Sequence, residues 1–175
     1  VNQTLGDRFC LLAGVEANIG LDGSLDLTAA ELREVDLVVA AAHAGLRIPG
    51  DQTRRMIAAV QAPGVHILGH PRGRVRGNRH GIEADWDLVF EAAARANVAI
   101  EIDGDPARQD LDHAMARRAV DAGCVLALDS DAHAPLELGF ADVALAHARL
   151  AGVPADQILN CWPLGRLLDW LGQRA

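Results

Sequence analysis

The chain has no tyrosine and only three phenylalanines and three tryptophans in 175 residues. That is too few for the aromatic platforms on which single-stranded nucleic acid stacks. Its net charge of −8 excludes a surface that coats itself with nucleic acid, because neutralising phosphates takes clustered Lys and Arg. Only a local basic patch remains open. The three cysteines, Cys10, Cys124 and Cys161, form no CxxC pair, and Cys10 and Cys124 sit in apolar runs, which reads as buried thiols rather than a disulfide or zinc framework. The longest apolar runs are short and broken by acidic residues, Arg or His, so none is long enough to cross a bilayer, and the N-terminus lacks a basic-then-apolar leader pattern. The expectation is one domain over residues 1–175 in a cytoplasmic setting, with no membrane partner. The chain opens on Val1 and runs almost at once into a strand, which reads as a piece of a longer protein.

What is present is a rhythm of apolar runs, each followed by a helical segment and ending in an acidic residue or a histidine. The runs are 9–15, 37–42, 65–68, 98–100 and 125–128. They end at Glu16, His43, Gly69-His70, Glu101 and Asp129-Ser130-Asp131-Ala132-His133. From Glu16 to His43, His70, Glu101 and Asp131 the steps are 27, 27, 31 and 30 residues, close to the roughly 30 residues of one βα unit. Apolar runs without alternation mark strands covered on both faces, as in a parallel sheet. Helix signals lie between them. Thr28-Ala29-Ala30-Glu31 has capping-box spacing, Asp85 starts a helix over 86–96, and 112–122 is stopped by Gly123. Further helices are predicted over 138–149, briefly after Pro154, and over 163–171, where Leu164, Leu167, Leu168 and Leu171 form a stripe expected to face the core.

In a parallel barrel the C-terminal strand ends converge on one mouth. Glu16, His43, His70, Asp131 and His133 would meet there, and such groups repel or desolvate one another unless a cation sits between them. Mixed N and O donors suit zinc, manganese or iron better than calcium. Glu101 and Asp129 read as supporting carboxylates behind the ligands, with a direct metal contact for Glu101 as the alternative. After His70 runs a glycine-spaced basic loop, 71–79, whose Arg72 and Arg74 are candidate phosphate contacts; the competing reading is a solvated loop offsetting the acidic remainder. The other histidines, His66, His80, His113 and His147, sit away from strand ends and read as structural.

The motifs Gly14-Val15-Glu16-Ala17-Asn18-Ile19, Asp22-Gly23-Ser24-Leu25-Asp26, Val38-Val39-Ala40-Ala41-Ala42-His43, Gly69-His70-Pro71, Glu101-Ile102-Asp103 and Ser130-Asp131-Ala132-His133 resemble, in order, those of the PHP (polymerase and histidinol phosphatase) domain. Leu68-Gly69-His70-Pro71-Arg72-Gly73-Arg74, Arg108-Gln109-Asp110-Leu111 and Ile158-Leu159-Asn160 look most like the PHP domain at the C-terminus of bacterial family X DNA polymerases. The resemblance implies an α/β fold, a distorted TIM-like (β/α)7 barrel lacking here about its first two strands, with up to three divalent metals at its mouth. By motif, Glu16 would bridge two metals, His43 and His70 would complete the second, Asp131 would hold the first and His133 a third. The family's opening His-x-His segment is not found, Asp103 stands where the family usually has Asn, and Ala42 where Ser often precedes the metal-binding His.

The expected function is metal-dependent hydrolysis of phosphate esters of nucleotides or DNA, 3′–5′ exonuclease-like, by metal-activated water, with Glu16 and Asp131 as the catalytic pair. The expected partners are a phosphorylated small molecule or a DNA end, and a polymerase domain in a longer chain. Two competing readings remain: a catalytically impaired PHP scaffold attached to a polymerase, and a barrel hydrolase acting on C–N bonds. Five strands leave two sheet edges to cover, so self-association is also expected.

Overall fold

The computed structural model describes residues 9–173 together with Asn2 and Gly6; Val1 and Ala175 lie outside the described residues. Five strands, β1 (Gly14–Asn18), β2 (Leu37–Ala41), β3 (Ile67–Gly69), β4 (Ala99–Asp103) and β5 (Leu126–Asp129), form one sheet in chain order. Every neighbouring pair is parallel. The described helices are α1 (Ala29–Leu32), α2 (Thr53–Gln61), α3 (Trp86–Arg95), α4 (His113–Asp121), α5 (Ala141–Leu150) and α6 (Leu164–Gly172). Parallel neighbours need a crossover between them, and helices supply it.

The helix starts follow the local chemistry. Thr28 Oγ1 accepts from Glu31 N while Glu31 Oε2 accepts from Thr28 N, closing the capping box of α1. Asp85 accepts from Leu88 N at the start of α3, and Asp112 from Met115 N at the start of α4, each satisfying an amide the helix leaves orphaned.

The two faces of the sheet are used differently. On one, Ala40, Leu68, Ile100, Ile102 and Leu126 pack with Met56, Val60, Phe90, Ala116, Ala144 and Ala148 from α2 to α5 in the main core. On the other, Ile67, Ala99 and Ala127 pack with Leu159, Trp170 and Leu171. Strand side chains alternate, so this second face also receives Glu16, Asn18, Glu101, Asp103 and Asp129. Glu16 pairs in register with Val39, and Asp103 with Asp129. The second face is therefore apolar near its N-terminal end, where α6 covers it, and polar at its C-terminal end.

Three expectations need correction. β1 starts only at Gly14, near the end of the run 9–15, and Phe9 and Leu11 are exposed. The helix expected over 138–149 is a 3-10 turn, Pro135–Phe140, followed by α5. The leucine stripe does not face the core as a set: Leu171 and Trp170 are buried, whereas Leu164 and Leu168 are exposed. A helix lying across a sheet end buries about one side chain per turn deeply, and here the large Trp170 indole takes the place offered by the stripe.

The outer edge of β5 is closed by its own chain. Ile158 forms a parallel bridge to Leu126, and the Asn160 side chain accepts from Leu128 N at 2.8 Å and donates to Leu128 O at 2.8 Å. A side-chain amide carries the donor and acceptor of a peptide unit, so one residue stands in for a further strand. One of the two edges behind the expected self-association is thus already covered. Asn160→Ala is expected to lower unfolding free energy by about 1–2 kcal/mol for the two lost hydrogen bonds, measured by urea denaturation.

Candidate metal centre

Parallel register brings the ends of β1, β2 and β3 to one level, with Asn18 opposite Ala41 and Ala41 opposite Gly69. Gly69 allows this approach, since a Cβ there would lie 2.6 Å from Val39 Cγ1. Glu16 projects from β1, His43 lies just past β2 and His70 just past β3. One donor atom from each falls within a span of 4.8 Å. Glu16 Oε1 is 2.9 Å from His43 Nε2 and 3.5 Å from His70 Nε2, and the two imidazoles meet edge to face.

Hydrogen bonding sets the tautomer of His43. Asn18 turns its Nδ2 toward Asp26 Oδ2, which leaves its Oδ1 to accept from His43 Nδ1 at 2.6 Å. A neutral His43 therefore presents an Nε2 lone pair to the Glu16 carboxylate. Two acceptors at 2.9 Å need a cation between them, a proton or a metal ion. A tetrahedral ion with ligands at about 2.0–2.2 Å separates its donors by roughly 3.4 Å, so the present spacing is close to what one would impose. Two His and one Glu is also a catalytic zinc set that leaves a position open. His70 is nearly fully buried, and its Nδ1 has no hydrogen-bond partner among the described residues.

Behind the cluster lies a layer of carboxyl groups. Glu101 accepts from the His70 backbone N–H, and the Asp129 carboxyl group acts on it from close by. Burial, then the Asp129 carboxylate, pushes the Glu101 pKa well up. Burial also drives up Asp110, which accepts from Arg72 N and Arg74 N. The hydrogen bond from His70, opposed by burial, holds Glu16 below the usual carboxylate range. Burial works against a charged His70, yet Glu16 leaves its pKa raised overall. His70 and Asp131 both have positive φ, 23° and 46°, strain that sits at the mouth and fixes where each side chain leaves the backbone.

The chain is 37% identical over 180 residues to a "Probable phosphatase" of Yersinia pestis (strain Pestoides F), covering 97% of this chain and 71% of that protein. It is 35% identical over 178 residues to "Probable phosphatase YcdX" of Escherichia coli O139:H28, covering 96% and 70%. To "DNA polymerase/3′-5′ exonuclease PolX" of Bacillus subtilis (strain 168) it is 34% identical over 155 residues, 88% of this chain but only 27% of the relative's length. No family model matches the chain. The chain belongs to the PHP family.

Of the residues expected from the PHP motifs, the structure gathers Glu16, His43 and His70 and leaves two outside that group. Asp131 Oδ2 meets Arg108 Nε at 2.9 Å. His133 is exposed, its Nδ1 turned back to Asp131 O at 2.7 Å. Arg108 also lies 3.6 Å from Asp103 and 3.7 Å from Asp105, a single cation among three carboxylates. Its motif, Arg108-Gln109-Asp110-Leu111, is visible in the sequence, but its role as a bridge to Asp131 is not. Asn18 was likewise inside a motif without a role.

The two arginines singled out on the loop after His70 are differently placed. Arg74 is spent on the fold: it donates to Arg108 O, Gln109 O and Asp112 Oδ2. Arg72 reaches Asp112 only at 3.5 Å. His66 is buried, its Nδ1 accepting from Val38 N. Among the described residues all three cysteines are free and only Cys124 is buried. No described helix is long and apolar enough to cross a membrane.

Asp103 offers a pH handle on this PHP site. Burial raises its pKa from 3.8 to about 7. Below 3.8 both folded and unfolded chains hold the proton, and above about 7 neither does. In between only the folded chain does, so this contribution to stability is lost as pH rises across that window. Asp103→Asn keeps an acceptor for Asp105 N and removes the titration. Urea unfolding of metal-free protein between pH 5 and 7 should show the variant's stability falling less with pH than wild type, by up to about 1.4 kcal/mol per pH unit.

Proposed function

We propose that the chain is the working part of a metal-dependent phosphoesterase, its sheet belonging to a distorted (β/α)7 barrel, acting on phosphate esters of nucleotides or a DNA end. The observation that carries this reading is the meeting of Glu16 Oε1 and the His43 Nε2 lone pair at 2.9 Å, with Asn18 dictating the tautomer. The relatives' names, phosphatase and 3′-5′ exonuclease, point to the same class of bond, a phosphate ester.

Glu16, His43 and His70 would hold the ion, zinc, manganese or iron, with Asp131 and His133 serving further ions of a complete family site. A divalent ion held there supplies a water of lowered pKa and offsets charge growing on the phosphoryl oxygens. In the hydrolysis a water oxygen bonds to phosphorus, the ester P–O bond breaks, and the alcohol leaves with a proton. Asp131, close enough to act on the charge of His70 and paired with Arg108, would take the water's proton. Glu101 keeps His70 in place through its backbone N–H, and Asp129 supports Glu101.

A second reading, a PHP scaffold that has lost its catalysis and packs against a polymerase domain, is favoured by one observation. Asp131 is already paired to a cation of the chain, Arg108. The two readings separate by assay. Under the hydrolase reading, Glu16→Gln and His43→Ala each lose bound metal by elemental analysis and lose at least about 100-fold in turnover of bis(p-nitrophenyl) phosphate. Retained turnover in either variant would sink the assignment, and metal binding without turnover in the wild type would favour the scaffold. Asn18→Leu, which frees the His43 ring, should weaken metal binding about 10- to 100-fold in competition with a chelating dye.

A further inference from the structure

Beside the ligand cluster, with His43 common to both, lies a cavity of about 580 Å³. His43 forms part of its wall, with Arg47 and Arg79 on its polar side and Leu21, Leu46 and Ile48 on its apolar side. Of these residues the sequence had pointed to His43 and, as part of the basic loop 71–79, to Arg79, but not to Arg47.

The two arginines differ from the others near the site. Arg72, Arg74 and Arg108 each face a carboxylate within 4.0 Å; among the described residues neither Arg47 nor Arg79 does. Arg79 is half-buried, and its one side-chain hydrogen bond among the described residues runs from Nε to Gly73 O, so among those residues both terminal nitrogens lack an acceptor. Among the described residues the Arg47 side chain bonds only to the neutral Asn78, through its carbonyl and its side-chain oxygen. Arg79 also feels Arg47 and Arg108 as neighbouring cations, against Asp110 alone on the other side. A guanidinium withdrawn from water beside like charges costs free energy until an anion arrives. The chain has no lysine, so every such cation is a planar fork suited to phosphate oxygens. On the apolar side Leu21 is 61% and Ile48 48% exposed, large side chains that the fold leaves open.

We propose that Arg47 and Arg79 form a phosphate subsite next to the Glu16, His43 and His70 cluster, gripping a second phosphate of the substrate while Leu21 and Ile48 pack against the nucleoside that separates it from the reacting one. The subsite rests on the phosphoesterase reading for the identity of its ligand, and it makes the substrate an oligonucleotide end rather than a simple phosphomonoester. Arg72 and Arg74, by contrast, shape the loop.

The test is calorimetric titration of the metal-free chain with the dinucleotide TpT, its 5′-phosphorylated form pTpT, and inorganic phosphate. The 5′-phosphate should tighten binding about tenfold or more, as charge-assisted bonds to arginine do, and that advantage should disappear in Arg47→Gln and in Arg79→Gln. Arg47 is exposed and on a separate loop, so its variant reports on the subsite even if loop 71–81 needs Arg79 to fold. Equal binding of pTpT and TpT, or an advantage that survives both substitutions, overturns the proposal. Inorganic phosphate binding as tightly as pTpT, with the same losses in the variants, overturns the nucleotide assignment. Because the titration involves neither metal nor turnover, failure of the hydrolase reading leaves this result intact, and failure of the subsite leaves the metal cluster standing.

Discussion

Glu16 and His43 face each other at 2.9 Å as two acceptors, and the C-terminal end of the sheet is organised around that meeting. Asn18 and Asp26 hold the His43 ring so that its lone pair cannot turn away. Gly69 lets β3 close on β2 and brings His70 into reach. Glu101, whose pKa burial and then Asp129 push up, anchors the backbone of His70. Each of these supports would be needless if the centre held no charge to be neutralised, since unpaired polar groups are otherwise kept out of protein interiors.

Charge is partitioned on a larger scale by the same logic. The chain is acidic, yet Arg72, Arg74, Arg76, Arg79 and Arg108 gather at the mouth. Some of these arginines are consumed internally. Arg74 ties loop 71–81 to the turn before α4, and Arg108 sits among Asp103, Asp105 and Asp131. Arg76 donates to the Gln109 side chain, and Arg79, which no carboxylate pairs among the described residues, faces the cavity beside His43. The net charge therefore excludes broad coating by nucleic acid but not capture of one phosphorylated end. The sheet divides its surface accordingly: one face is core throughout, and the other is closed by Trp170 and Leu171 at one end and left polar at the other.

Much of this was legible in the residue order. Five apolar runs at nearly constant spacing became five parallel strands, because strands buried on both faces lack alternation and cannot be confused with a half-solvated sheet. Caps at Thr28, Asp85 and Asp112 acted where local hydrogen-bonding chemistry places them. The leucine stripe of α6 misled, since periodicity tells which residues share a face but not that a tryptophan beside them fills the contact. The boundary of β1 misled for a related reason: Phe9 and Leu11 are apolar but have no covering layer.

The sequence by itself determined which residue types stand at the strand ends, and so the family and the donor chemistry of Glu16, His43 and His70. Strand period and strand register are local properties, and in a parallel sheet they are enough to bring such ends together. Only the tertiary structure decided that Asp131 turns to Arg108, that His133 stays exposed, that Arg74 is tied into the loop and that Arg47 and Arg79 are not. Those outcomes depend on which of several equivalent charges lie within a few ångströms across segments far apart in the chain, and Coulomb interactions depend on spatial separation rather than sequence distance.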